Sequence, residues 1–106
     1  MTKVISIRQA PAGWQNNSQY VYIGRAGKGM TGLFGNPIIV GKQCMICGAV
    51  HRTGGSTLAC YKEYMLTRML HDTEFAEAIK GLKDKILVCF CKPAPCHGDV
   101  IAEYLD

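Results

Sequence analysis

Three groups of residues in this 106-residue chain have the types and spacing to do chemistry. The C-terminal run Cys89-x-Cys91-x4-Cys96-His97-x-Asp99 places three thiols, an imidazole and a carboxylate within eleven positions. A metal site, a redox pair, a nucleophile with its base, or packing could each account for it. The second group is Cys44-x2-Cys47-x3-His51-x8-Cys60. It offers three sulfurs and an imidazole, the ligand set of a tetrahedral Zn2+ knuckle. Gly48 suits the tight turn after the second cysteine, and the segment has almost no hydrophobic anchor, so something other than a core must fix it. The third group is a glycine loop with Gly24, Gly27, Gly29, Gly32 and Gly35, which also carries Arg25, Lys28 and Asn36. Glycines expose backbone N–H groups to an anion; a long turn needing positive φ is the plainer account. Within it, Gly27-x-Gly29-x-x-Gly32 fits a dinucleotide string, but it follows no strand-to-helix junction and no phosphate-binding lysine comes after it.

Elements must hold these groups in place. Lys3–Ile7 and Gln19–Arg25 read as strands, and Ile38–Val40 as a third, short one. Residues 56–71 read as a helix capped by Ser56 or Thr57, with Leu58, Tyr61, Met65 and Met69 on its apolar stripe. Cys60 lies about 160° around that wheel from Leu58, so it points away from the stripe and toward a ligand role. Asp72 or Thr73 caps a second helix that ends near Gly81. Lys85–Cys91 is apolar on both faces, as a central strand of a covered sheet would be. It places Leu87, Cys89 and Cys91 on one face, and Cys89, mid-strand, reads as a small core residue. His97–Leu105 closes the chain as a helix. The order β, β, glycine loop, cysteine loop, α, α, β, α predicts one compact α/β domain. Its sheet is small and mostly parallel, with about three helices and an inserted metal-knuckle loop over residues 41–60. Cys91 falls at the carboxyl end of the central strand, where open α/β sheets place ligands. Cys96, His97 and Asp99 fall at the start of the last helix, with Asp99 as dipole partner or as orienter of His97. Neither Cys96 nor His97 is expected in the core, and Cys96 is expected to be the most accessible thiol.

Composition sets the surroundings. No apolar stretch reaches the roughly 18 residues of a membrane helix, and the first residues do not read as a signal peptide. A cytoplasmic location is expected, and there six cysteines favour metal ligands or catalytic thiols over disulfides. The net charge of +4 is unevenly spread. Residues 1–62 hold seven basic residues and no acid, where average usage would put about seven acids. The remaining 44 residues hold all eight acids and five basic residues. The first half therefore reads as an anion-facing surface, although a glycine-rich, strand-rich half that needs few charges gives the same count.

The Tyr-Ile-Gly-Arg strand end, the Gly-Asn-Pro turn and the Cys-x-Cys-x4-Cys-His-Gly-Asp-Val-Ile segment resemble a small domain family of unknown function found in bacteria and their phages. The resemblance runs from about residue 20 to the end. It implies a compact α/β fold and points to Gly24, Arg25, Gly35, Asn36, Pro37, Cys91, Cys96, His97 and Asp99. It also implies that the Cys44–Cys60 knuckle is an added feature. Two functions compete on the residues. In one, Cys91 or Cys96 is a nucleophile with His97 as its acid/base partner, while Gly24, Arg25, Lys28, Gly35 and Asn36 hold a nucleotide or nucleic-acid-derived ligand. In the other, a zinc-stabilised module without catalysis docks on nucleic acid or on a host protein, as a phage-type inhibitor would.

Overall fold

The computed structural model describes residues 1–27, 32–92 and 94–106. Lys28 and part of the glycine string lie outside the described residues. Three strands form one parallel sheet: β1 (Lys3–Ser6), β2 (Tyr20–Tyr22) and β3 (Ile86–Cys89). Their spatial order is β1-β3-β2, so the last strand in sequence inserts between the first two. Lys3 and Tyr20 both align with Ile86, which brings the carboxyl ends of β2 and β3 level at Tyr22 and Val88. Central placement explains the apolar run of β3. Leu87, Val88 and Cys89 are all fully buried although they alternate faces, because both faces of the strand are covered.

The two helices α1 (Leu58–His71) and α2 (Thr73–Lys80) form the crossover between β2 and β3, and α3 (His97–Leu105) returns against β1. Tyr61 and Met65 of the expected α1 stripe are completely buried, together with Phe75 and Ile79 of α2, Leu87 of β3 and Ile101 of α3. Asp72 caps α2 as its sequence predicts, its Oδ1 accepting from the Phe75 N–H at 3.1 Å. Neither Ser56 nor Thr57 caps α1 in that way. A 3-10 turn at Gly55–Thr57 precedes the helix, and the Thr57 hydroxyl donates back to the Gly54 carbonyl at 2.7 Å.

Ile38–Val40 is not a strand. The backbone groups of Ile38 are satisfied by side chains instead of a ladder. The Ile38 N–H donates to Asn36 Oδ1 at 3.0 Å, and the Ile38 carbonyl accepts from Arg25 Nη2 at 2.9 Å. Ile38 is nonetheless buried, while Ile39 and Val40 are exposed, so the core claims only one of the segment's three apolar residues.

Candidate metal centre and crevice

Cys44, Cys47, His51 and Cys60 come together, their ligand atoms all within 4.8 Å of one another. This cluster could hold a metal ion. Among the described residues no second group of this kind occurs. The knuckle builds itself locally. Gly48 takes φ +79°, a conformation that a side chain would strain. Its N–H returns to the Cys44 carbonyl at 2.9 Å, and the Cys44 N–H reaches the Ala49 carbonyl at 2.7 Å. The Ile46 N–H donates to Cys44 Sγ at 3.4 Å. Backbone N–H groups, that of Cys47 foremost, lower the Cys44 thiol to about 6. Burial and the two neighbouring sulfurs push Cys60 up to about 11. Met45 and Val50 project into solvent at 63% and 43% exposure, so the loop has little core of its own to hold it. Cys60 leaves the α1 stripe and joins the cluster, as its place on the helical wheel indicates.

A cavity of about 380 Å3 opens at the carboxyl ends of β2 and β3. It gathers Gly24, Arg25, Asn36, Cys91, Cys96 and His97 from separate segments of the chain. Gly35 and Asp99 do not line it. Its wall on the α1 side is Gly54, Thr57 and Leu58, residues that lie between His51 and Cys60 of the cluster. Asn36 ties that wall to the opposite one. Its Nδ2 donates to Thr57 Oγ1 at 3.0 Å while its Oδ1 holds the Ile38 N–H. Arg25 is equally engaged, with Nε on the Asn36 carbonyl at 3.0 Å and Nη2 on that of Ile38. These two side chains therefore build the crevice as well as facing it. Gly24 leaves room for the Tyr22 phenol, which folds back to donate to the Arg25 carbonyl at 2.8 Å. At Gly35 an added Cβ would stand 3.0 Å from the Gly24 carbonyl oxygen, so two backbones meet there.

The floor differs from expectation. Cys96 and His97 are buried, at 1% and 5% exposure, and the exposed thiol of the C-terminal group is Cys91, just past the end of β3. The cause is close approach. A Cβ on Gly98 would lie 2.6 Å from Ile23 Cδ1 and 2.8 Å from Val4 Cγ1, so α3 packs its first turn directly under the sheet. Cys96 caps that helix, its sulfur accepting the Gly98 N–H at 3.3 Å. Asp99 answers with Oδ2 on the Cys96 N–H at 3.0 Å, and Lys92 Nζ sits 2.6 Å from Oδ1. Asp99 is thus a cap and ion-pair partner and does not orient His97. The orienter, which sequence reasoning missed, is the Ile23 carbonyl, 2.6 Å from His97 Nε2. A carbonyl only accepts, so Nε2 carries the proton and Nδ1 presents a lone pair 3.7 Å from Cys96 Sγ. Burial lowers the His97 pKa, and Tyr61 packs edge-on against its ring. Cys89, expected as a core filler, is buried but also lines the cavity, and the Cys96 thiol donates to its sulfur at 3.0 Å.

A short parallel sheet, a cysteine–histidine cluster that could hold a metal ion and a thiol-floored cavity at the strand ends define a small α/β domain. The chain belongs to the family described as Domain of unknown function (DUF4326), which it matches over residues 6–106. No curated protein and no solved structure matches it. No helix of the described residues is long and apolar enough to cross a membrane.

Proposed function

We propose that this domain is a zinc-stabilised pocket for a nucleotide or nucleic-acid-derived ligand, and that it acts on that ligand through Cys91, with Cys96 and His97 beneath. The observation that carries the reading is the cavity itself. It lies where parallel sheets present ligands, and its volume of about 380 Å3 falls in the ordinary range of small-molecule sites. Ile38, Val40, Leu58 and Phe90 offer apolar surface for a planar base. Arg25 supplies a cation at the same opening, within a basic N-terminal half.

The donor set supports zinc. Zn–S and Zn–N bonds of about 2.3 and 2.05 Å at tetrahedral angles put a sulfur and a nitrogen about 3.6 Å apart. Cys47 Sγ and His51 Nε2 stand at 3.6 Å. A divalent cation would also relieve the crowding of three thiols that otherwise resist ionising together. Zinc would have a structural role, holding at both ends, through His51 and Cys60, the segment that carries Gly54, Thr57 and Leu58 of the cavity wall.

A non-catalytic binding module is the second reading. It is favoured by the engagement of Arg25, Asn36 and Asp99 in structural bonds, which leaves fewer polar groups for chemistry. Titrating the 15N-labelled chain with the monophosphates of adenosine, guanosine, cytidine and uridine tests the proposal. At least one should shift the amides of Phe90, Cys91 and His97 saturably, and a changed nucleotide on chromatography afterwards distinguishes enzyme from binder. No shift with any of the four at millimolar concentration would reject the nucleotide reading.

A further inference from the structure

We propose that Cys89 and Cys96 are a dithiol couple in the cavity floor, oxidised to a disulfide by a small hydroperoxide. Neither residue belongs to the metal cluster. The two sulfurs lie 3.0 Å apart, one at the end of β3 and the other at the cap of α3, and both residues line the cavity. They need to close by only about 1 Å to bond. The cap position adds a chemical argument. Ser, Thr, Asp and Asn are the strong N-caps, and a sulfur is a weak acceptor. A thiol there serves α3 poorly, which fits a role for its sulfur beyond capping.

The groups around the pair divide the labour. Cys89 is lowered to about 6, chiefly by the Cys96 thiol and further by the backbone N–H groups of Lys92 and Cys91. Cys96 is pushed up by Cys89 and by burial, so it keeps its proton. In the first step the Cys89 thiolate attacks one peroxide oxygen. The O–O bond breaks, and the leaving hydroxide takes up, through solvent, the proton that Cys89 released on ionising, which gives water and leaves Cys89 as sulfenic acid. In the second, His97 Nδ1 takes the Cys96 proton and the Cys96 sulfur attacks the Cys89 sulfur. The S–O bond breaks, and the departing hydroxide receives that proton from His97. The sum is two thiols and one hydrogen peroxide giving one disulfide and two waters. Burial selects the oxidant: with Cys89 and Cys96 only 0–1% exposed at the foot of the cavity, a bulky peptide disulfide is shut out, and a peroxide little larger than water is the reagent proposed to reach them. The inference does not depend on the identity of the organic ligand.

The test uses the full metal-loaded chain and equimolar hydrogen peroxide, followed by alkylation in denaturant and peptide mass mapping. Trypsin leaves Cys89, Cys91 and Cys96 on one peptide, residues 86–106, because Lys92 precedes a proline. In Cys91→Ser this peptide should lose two hydrogens and take no alkyl group, and dithiothreitol should reverse both. Cys96→Ser keeps a capping hydroxyl and should fold; it should stop at a Cys89 sulfenic acid that dimedone traps. His97→Gln, which retains a donor for the Ile23 carbonyl, should form the sulfenic acid normally but close the disulfide at least tenfold more slowly. Full alkylation of Cys89 and Cys96 in peroxide-treated Cys91→Ser would overturn the proposal. So would oxidation of the wild type confined to Cys91.

Discussion

His51 Nδ1 lies 3.0 Å from Ser56 Oγ, and that hydroxyl gives its own proton to the Thr53 carbonyl at 2.8 Å. The serine must therefore accept from His51. The imidazole is held with its Nε2 lone pair toward the cysteines, the tautomer that a metal ligand needs. Ser56→Ala should lower metal affinity about 10- to 100-fold without removing a ligand. Competition with a chromophoric chelator measures this, and an unchanged affinity would mean that the serine plays no part in orientation.

Asn36 joins two walls of the crevice with one side chain. Asn36→Ala strips a partner from both the Ile38 N–H and the Thr57 hydroxyl, and should cost about 1–3 kcal/mol in urea unfolding. Asn36→Asp keeps the acceptor for Ile38 and should recover part of that loss.

Gly98 is where α3 meets the sheet. Gly98→Ala forces a methyl group into Ile23 and Val4, and overpacking of this kind costs about 1–3 kcal/mol. An alanine variant as stable as wild type would mean that the first turn of α3 can retreat from the sheet, which would also displace the Cys96 sulfur.

His97 makes stability depend on pH. Its folded pKa lies below the ordinary 6.5 because burial disfavours the imidazolium. As pH falls below about 6.5 the unfolded chain gains a proton that the folded chain does not, so stability falls with acid. Urea unfolding at successive pH values from 7.5 downward should show a shallower decline in His97→Gln than in wild type. His51 and the thiols are common to both proteins, so the difference between the two curves isolates His97.

Much of this was legible in the sequence, for reasons that differ by element. The clustering of Cys44, Cys47, His51 and Cys60 could be read because their spacing is that of a metal-ligand set, and because Cys60 sits off the apolar stripe of its helix. β3 could be read because a strand covered on both faces cannot hide its composition, and α2 because Asp72 has a free backbone N–H three residues on. The Ile38 segment misled, since of its three apolar residues only Ile38 is buried, and Asn36 and Arg25, rather than a neighbouring strand, satisfy that residue's backbone. The floor misled most. A helix N-terminus is ordinarily exposed, and nothing local states that α3 begins beneath the sheet. The signal that could have shown it is the pairing of Asp99 with the Cys96 backbone, a capping box at the usual spacing, next to a glycine inside the first turn.

Thiol labelling follows from that correction. With metal bound, iodoacetamide at neutral pH should modify Cys91 first, because it is exposed and outside the metal cluster. Cys89 and Cys96, too buried for a reagent of this size, should be alkylated only as the protein opens. Adding a chelator should release Cys47 next, the exposed member of the knuckle. Labelling of Cys96 ahead of Cys91 would contradict the buried floor.

X-ray absorption at the zinc edge on untagged protein, with the metal counted by elemental analysis, tests the central claim most directly. The account predicts about one zinc per chain with three sulfurs near 2.3 Å and one nitrogen near 2.0–2.1 Å. Cys44→Ser or Cys47→Ser should release the metal and lower the melting temperature. Protein that carries no metal, or zinc whose shell persists in both variants, would contradict it.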